Sequence, residues 1–413
     1  MNKTMIIETN QKKKILIFFI VSMLLLFMMF LIMFLINPQG SQANIFYDKT
    51  NDYMADFFNV AKFSSDRNPY FNEFKGSYFP FSYLIFYFLS KFAPYDAMPA
   101  FQAGKTTMGL VTSTYFMFFL STVYLIELFS LSTLKKQCSF FLILTFLFSG
   151  IFIFAFERGN LIILAACLVS FYINYYDSHN KVLKELALLA LAFAAALKVY
   201  PALLGILLLY EKKHNDAIRL IIYGVIVAFL PFIFFEHGLS NALQLLKNME
   251  TASDFYKFMY YPRYGYTYFV SIWARSYSLR NFISTDIVNI FATFGFYIYT
   301  IIGFFLNKNE ISKWKQIAFV ILIIIFLPVN SGLYCGLYLL PIIIMFFNQE
   351  HLGKQDWLYV ILFIIILNPI QIPFWKININ TLLQNIAILI LLFDFSYSQV
   401  HSFTRRRNSR ITQ

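Results

Sequence analysis

The sequence predicts an all-α, polytopic membrane protein, and three observations carry that expectation. Of the 413 residues, 59% are hydrophobic, 20% aromatic and only 13% charged, whereas a soluble surface needs about 25% charged residues. Mean hydropathy is +0.63, and the apolar residues recur in runs near the bilayer-crossing length of about 20 residues. The basic residues between these runs fall in short clusters: KKK at Lys12 to Lys14, KK at Lys135 and Lys136, EKKHNDAIR, NKNEISKWK and the terminal RRRNSR. That is how Lys and Arg in short cytoplasmic loops orient helices. In lipid a spanning segment must satisfy its own backbone N–H and C=O groups, which selects helices over open sheet. The net charge of +12 is therefore a matter of membrane topology. No basic, aromatic-studded soluble module is present, so no nucleic-acid partner is expected.

Charge parity then orders the elements. The run 15–36 is too long for a typical signal-peptide core, and GSQA after it is a poor cleavage signal, so a retained signal anchor is expected. Residues 37–105 form a first outer loop. The run 106–131 returns to LKKQ, 140–156 goes out again, and FERGN (Phe156 to Asn160) becomes a tight turn on the outer side before 161–176 returns. The run 186–210 is flanked by basic clusters at both ends. It must be a hairpin, with LKVYP (Leu197 to Pro201) as its tip, inside a first membrane block, 106–236. After 220–235 comes a second outer loop, 237–284. The runs 287–306, 317–329, 333–347, 358–374 and 381–395 form a second block, 285–397, and leave a cytoplasmic basic tail, 398–413. The segment 80–92, PFSYLIFYFLSKF, is short for a span and is expected to be re-entrant or interfacial. The result is one integral membrane domain with about 10–13 transmembrane or re-entrant helices. Both termini are expected in the cytoplasm. No internal repeat of the transporter kind is evident.

Chemistry is sought where polar residues interrupt this pattern. The first outer loop holds Asp48, Asp52, Asp56, Asp66 and Glu73. Asp52 and Asp56 share a face if their segment is helical, and MADFFNVAKF reads as a helix along the membrane surface. A carboxylate here is either part of a solvated acidic loop or a general base for an acceptor hydroxyl. Lys198 stands alone in LAFAAALKVYPALLGILLL. It is either a snorkelling lysine or a cation facing a cavity and an anionic partner, with phosphate fitting well. In FERGN, Gly159 permits a turn, while Arg158 is a second candidate for phosphate and Glu157 a partner for a basic side chain. The second outer loop offers MYYPRYGYTYFVSIW, in which Arg263, Tyr264 and Tyr266 are candidate acceptor or sugar contacts. Tyrosines also populate membrane interfaces without any ligand. Glu127 has no assigned role. Cys138, Cys167 and Cys335 show no disulfide or metal spacing, and no zinc or iron site is expected.

The order of ADFFNVAKFSSDRNPY, SYFPFSYL, FERGNLIILAACL, AALKVYPALLGILLL and NSGLYCGLYLLPIII resembles glycosyltransferase family 87, the polyprenyl-phosphate-sugar-dependent integral membrane glycosyltransferases. The resemblance implies a GT-C fold with its active site away from the cytoplasm, in a bacterial cytoplasmic membrane. It implies transfer of a mannose-like hexose to a lipid-linked or cell-envelope glycan, inverting and without a metal or other cofactor. The family's catalytic acid maps onto Asp56, with Ala61, Pro69 and Tyr70 following, and Asp52 as fallback. Its K-x-Y-P maps onto Lys198, Tyr200 and Pro201, so Lys198, Arg158 and Tyr200 are expected at the donor phosphate. Glu157, Asn160 and Tyr70 would shape the site. The glutamine that many members carry beside the glycine of the turn is absent here. Two other functions compete: a surface-polysaccharide polymerase or ligase, which would use Arg263, Arg275 and Arg280 of the second loop, and a lipid-sugar flippase, which should show repeats and paired intramembrane charges.

Overall fold

Apolar runs flanked by charge become helices nearly everywhere. The structure, a computed structural model, describes residues 3–37, 53–257, 259–374 and 377–411. Among these, five helices are long and apolar enough to cross a membrane, or six if a bent pair counts as one span: Gln11–Ile36, Thr107–Leu131, His214–Phe234, Thr285–Asn307 and Ile379–Thr404, with Lys136–Leu147 plus Gly150–Arg158 as the pair. Five shorter apolar helices accompany them, Pro80–Ser90 among them. At about 1.5 Å per residue that helix spans roughly 16 Å, about half a hydrocarbon core. The chain is an all-α, multi-pass membrane protein, and its helices form two compact units.

One unit comprises residues 1–45, 131–153 and 257–413. Its centre is the helix Lys313–Phe326, in which an unbroken run from Gln316 to Phe326 is buried. A helix apolar on all sides belongs inside a bundle rather than at its edge. Trp314 anchors its start with ring contacts of 5.3 Å to Phe346, 5.3 Å to Tyr359 and 5.5 Å to Phe395. Two short antiparallel pairs occur here, Arg263–Tyr264 with Ser331–Gly332 and Pro373–Phe374 with Ile377–Asn378.

The other unit comprises residues 46–130 and 154–256. Its helix Ala55–Ser64 buries Phe57 and Phe58, which meet Phe86 at 5.1 Å, Phe116 at 6.0 Å and Phe101 at 5.9 Å. Both aromatics are thus turned into the interior of the unit. The helix Lys181–Leu197 starts on Asn180, whose side chain accepts from the N–H groups of Val182 and Leu183, the standard N-cap. It is tied to the helix His214–Phe229 by Arg219, which bonds Glu185 and Asp216 at 2.5 Å each, and by a Lys184–Asp216 ion pair.

The segment expected as a second outer loop differs from expectation. Residues 237–284, expected as a loop, are largely helical, with Asn241–Lys257, Tyr266–Arg275 and Tyr277–Phe282. The basic end of the chain continues the helix Ile379–Ile411 rather than forming a separate tail. Asp48 and Asp52 lie outside the described residues, so the proposed shared face of Asp52 and Asp56 does too.

Candidate active site

The FERGN segment is where a helix ends and a turn begins. Glu157 and Arg158 close the helix Gly150–Arg158, Gly159 takes φ +66°, and the next helix starts at Ile162. That left-handed φ favours glycine. The position is crowded as well, since a Cβ there would stand 2.7 Å from Cβ of Phe57 and 2.9 Å from Sδ of Met54. The turn therefore packs directly on the helix Ala55–Ser64. The backbone N–H of Met54 donates to the carbonyl of Glu157 at 2.7 Å.

This docking brings three side chains together. Arg158 Nη2 donates to Asp56 Oδ1 at 2.7 Å, and Asn160 Nδ2 donates to Oδ2 at 2.6 Å. Asn160 is itself fixed, because its Oδ1 accepts from the N–H of Ile162 at 2.9 Å. Each carboxylate oxygen holds one donor and keeps a lone pair, so Asp56 is oriented and still able to accept a proton. Its side chain is 22% exposed and that of Arg158 24%. Glu157 and Asn160 are buried.

Lys198 reaches the same place from another direction. It follows the helix Lys181–Leu197, and Pro201 explains why that helix stops there. A continuing helix would bond the carbonyl of Leu197 to the N–H of residue 201, which proline lacks. Ser82 Oγ donates to that carbonyl instead, at 3.4 Å. The Lys198 ammonium sits 4.1 Å from the ring centroid of Tyr78, a cation–π seat. Tyr78 is braced in turn: Tyr70 donates its hydroxyl to the carbonyl of Tyr78 at 3.0 Å, and the N–H of Tyr78 donates to Tyr83 Oη at 3.2 Å. Burial pushes the Tyr70 phenol well above the usual tyrosine range, so it remains a donor. Asp56, Tyr78, Ser82, Asn160 and Lys198 line one pocket of about 10 Å³, close to the room one water needs. Tyr200 opens the 3-10 turn Tyr200–Gly205 and is not among the residues that line it.

Beside Lys198 lies a second cavity, of about 410 Å³ and almost wholly apolar. Its walls come from the helix Lys181–Leu197, the turn after it and the helix His214–Phe229. Val199 and Phe79, the neighbours of Lys198 and Tyr78, stand on its lining together with Ala192, Ala196 and Gly224.

Three expected acceptor contacts have other surroundings. Arg263, Tyr264 and Tyr266 are 0%, 0% and 7% exposed, where open stacking faces were expected. Arg263 donates to the carbonyls of Val329 and Thr267, each at 3.1 Å, and Tyr266 stacks on Phe296 at 5.7 Å. Strand pairing pulls this stretch into the interior of the other unit. Two residues of the pocket, Tyr78 and Ser82, were not singled out from the sequence. The only hint was that an isolated Lys198 was expected to face a cavity and a partner.

Helices of this length and apolarity make a polytopic membrane protein, and Asp56 and Lys198 on one pocket mark its candidate site. The family model of glycosyltransferase family 87 matches residues 77–263, just under half of the chain. The resemblance read from the motifs is thereby supported over that stretch. The matched stretch includes the FERGN turn and Lys198, while Asp56 lies upstream of it. No match was found among the curated proteins or among the solved structures.

Proposed function

We propose that this protein is a glycosyltransferase of family 87, and that it moves a sugar, a mannose-like hexose, from a polyprenyl-phosphate donor to a lipid-linked or cell-envelope glycan on the extracytoplasmic face. The observation that carries this reading is the pocket shared by the Asp56 carboxylate and the Lys198 ammonium. Asp56 takes the proton of the acceptor hydroxyl as its oxygen attacks the anomeric carbon. The bond from that carbon to the phosphate oxygen breaks, its electron pair leaves with the lipid phosphate, and the configuration inverts. Lys198 offsets the charge developing on the phosphate, so the step is drawn with no metal ion. The apolar cavity beside Lys198 supports a lipid-linked donor, because it gives a hydrocarbon chain somewhere to lie while its phosphate meets the lysine. Burial of Arg263 removes one of the three arginines on which a polymerase or ligase reading would draw.

The test is transfer by the purified full-length protein in nanodiscs, supplied with polyprenyl-phosphate sugars and a panel of glycan acceptors. Asp56→Asn is expected to lower kcat by roughly 10²–10⁴-fold, the usual worth of a general base, with a normal elution profile and melting curve. Turnover undiminished in that variant would remove Asp56 from the mechanism.

A further inference from the structure

A second polar site lies in the same unit, beyond the far end of the helix that carries Asp56. A cavity of about 640 Å³ is bounded by Lys62, Asp66, Arg67, Glu73, Phe74 and Asp96, among others. That volume lies within the range of small-molecule pockets, about 300–1,000 Å³. Lys62 is six residues along the helix from Asp56, a rise of about 9 Å and a turn of about 120° around the axis. The cavity therefore opens on a different face from the Asp56–Lys198 pocket.

Its wall is built to hold a shape. Arg67 and Lys75 take φ +61° and +48°, left-handed values that non-glycine residues adopt at a cost and that cluster at ligand-binding segments. The loop around them is pinned. Asn72 Nδ2 donates to the carbonyl of Phe63 at 2.9 Å, and the N–H of Gly76 donates to the carbonyl of Pro69 at 2.7 Å. Phe74 stacks on Phe63 at 4.1 Å, yet stays 38% exposed.

The chemistry of that wall selects the ligand. Its cations are engaged: Lys62 donates to the carbonyl of Tyr95 at 2.7 Å, and Arg67 donates to the carbonyl of Phe234 at 3.1 Å while covering the Phe234 ring. The carboxylates of Asp66, Glu73 and Asp96 line the cavity as acceptors. One Asp66 oxygen takes the N–H of Asn68, and Asp96 meets only a loose ion pair with Lys91, at 3.4 Å. Lys62 and Arg67 stand against Asp66, Glu73 and Asp96, the last paired with Lys91, so the charges of the wall nearly balance and favour no ionic ligand; its carboxylate acceptors suit hydroxyl donors, and an exposed aromatic face takes the C–H side of a sugar ring. We infer that this cavity is a binding site for a neutral oligosaccharide. Resting on the glycosyltransferase reading above, it holds a part of the acceptor glycan remote from the hydroxyl that reacts. The preferred acceptor is then an oligosaccharide rather than a single sugar.

The test is binding by the full-length protein in nanodiscs, read by saturation-transfer NMR. The probes are neutral gluco- and manno-oligosaccharides of graded length, their monosaccharides and uronate-bearing counterparts. Affinity is expected to rise with length, to survive Asp56→Asn, and to fall about tenfold in Glu73→Gln and Phe74→Ala, the loss expected for one charge-assisted hydrogen bond or stacking face. Length-independent binding, no binding, wild-type affinity in Glu73→Gln, or preference for uronate glycans overturns the inference. Length-dependent binding by a protein that transfers nothing from polyprenyl-phosphate sugars would leave this site standing and sink the donor assignment instead.

Discussion

At Arg158 the sequence left two duties open, holding a donor phosphate or closing a turn, and the 2.7 Å ion pair with Asp56 supplies a third. A guanidinium on one carboxylate oxygen and an amide on the other fix the plane in which a hydroxyl can approach. Arg158→Gln is accordingly expected to lower kcat more than tenfold while donor KM moves less than about twofold, the pattern of an interaction felt in the transition state. A raised donor KM with kcat intact would return Arg158 to the phosphate. Gly159 makes a separate prediction. Any side chain there must adopt φ +66°, at about 1–2 kcal/mol, and displace Phe57. Gly159→Ala should lower the melting temperature in detergent and weaken activity with it; an unchanged melting curve would show that the turn relaxes freely. The turn itself was legible, because glycine between a charged pair and an asparagine announces one. The clamp was not. Asp56 is 102 residues from Arg158 and 104 from Asn160, and no local pattern encodes a contact at that separation.

Among the elements, the helix Lys181–Leu197 shows how much a sequence can specify by itself. Asn180 starts it, Pro201 stops it, and the lone lysine is delivered at its end. The break at LKVYP and the lone lysine were read beforehand, whereas the start at Asn180 was not, because the apolar run begins only at Leu186. What faces that end could not be read, since Tyr78 and Ser82 come from another segment. Lys198→Ala is expected to raise donor KM or lower kcat by about tenfold, the order of one charge-assisted contact. Donor kinetics like wild type would make Lys198 a snorkelling residue. On the cavity side, Ala196→Phe fills space that a lipid chain would occupy, so donor KM should rise with acceptor KM unchanged; an equal effect on both would point to distorted packing instead. The stretch 237–284 was misjudged for a related reason. NALQLLKNMETASDFYK is polar, and hydropathy reports affinity for lipid rather than helicity, so the helix Asn241–Lys257 passed for loop. Arg263 was misjudged because two-residue strand pairing leaves almost no trace in sequence.

For the molecule as a whole, five long helices, one bent pair and a set of shorter apolar helices give a multi-pass protein whose sidedness rests on the placement of basic residues. Charge parity puts the FERGN turn and the loop bearing Glu73 on one side, and the NKNEISKWK segment on the other. Single-cysteine variants test this in intact cells. With Cys138, Cys167 and Cys335 replaced, Glu73→Cys should react with a membrane-impermeant maleimide from outside, and Lys308→Cys only after permeabilisation. The reverse pattern would invert the topology and take the proposed face of catalysis with it. The long separation within the Asp56 clamp also bears on how the protein is made. The carboxylate is synthesised well before the arginine and asparagine that hold it. At about 5–20 residues per second, the ribosome needs on the order of five to twenty seconds to supply them. During that interval the nascent chain carries its acid without the partners that aim it. Under the proposed function the site stays incomplete until the turn at Gly159 has closed over Phe57 and Lys198, later still in the chain, has joined Asp56.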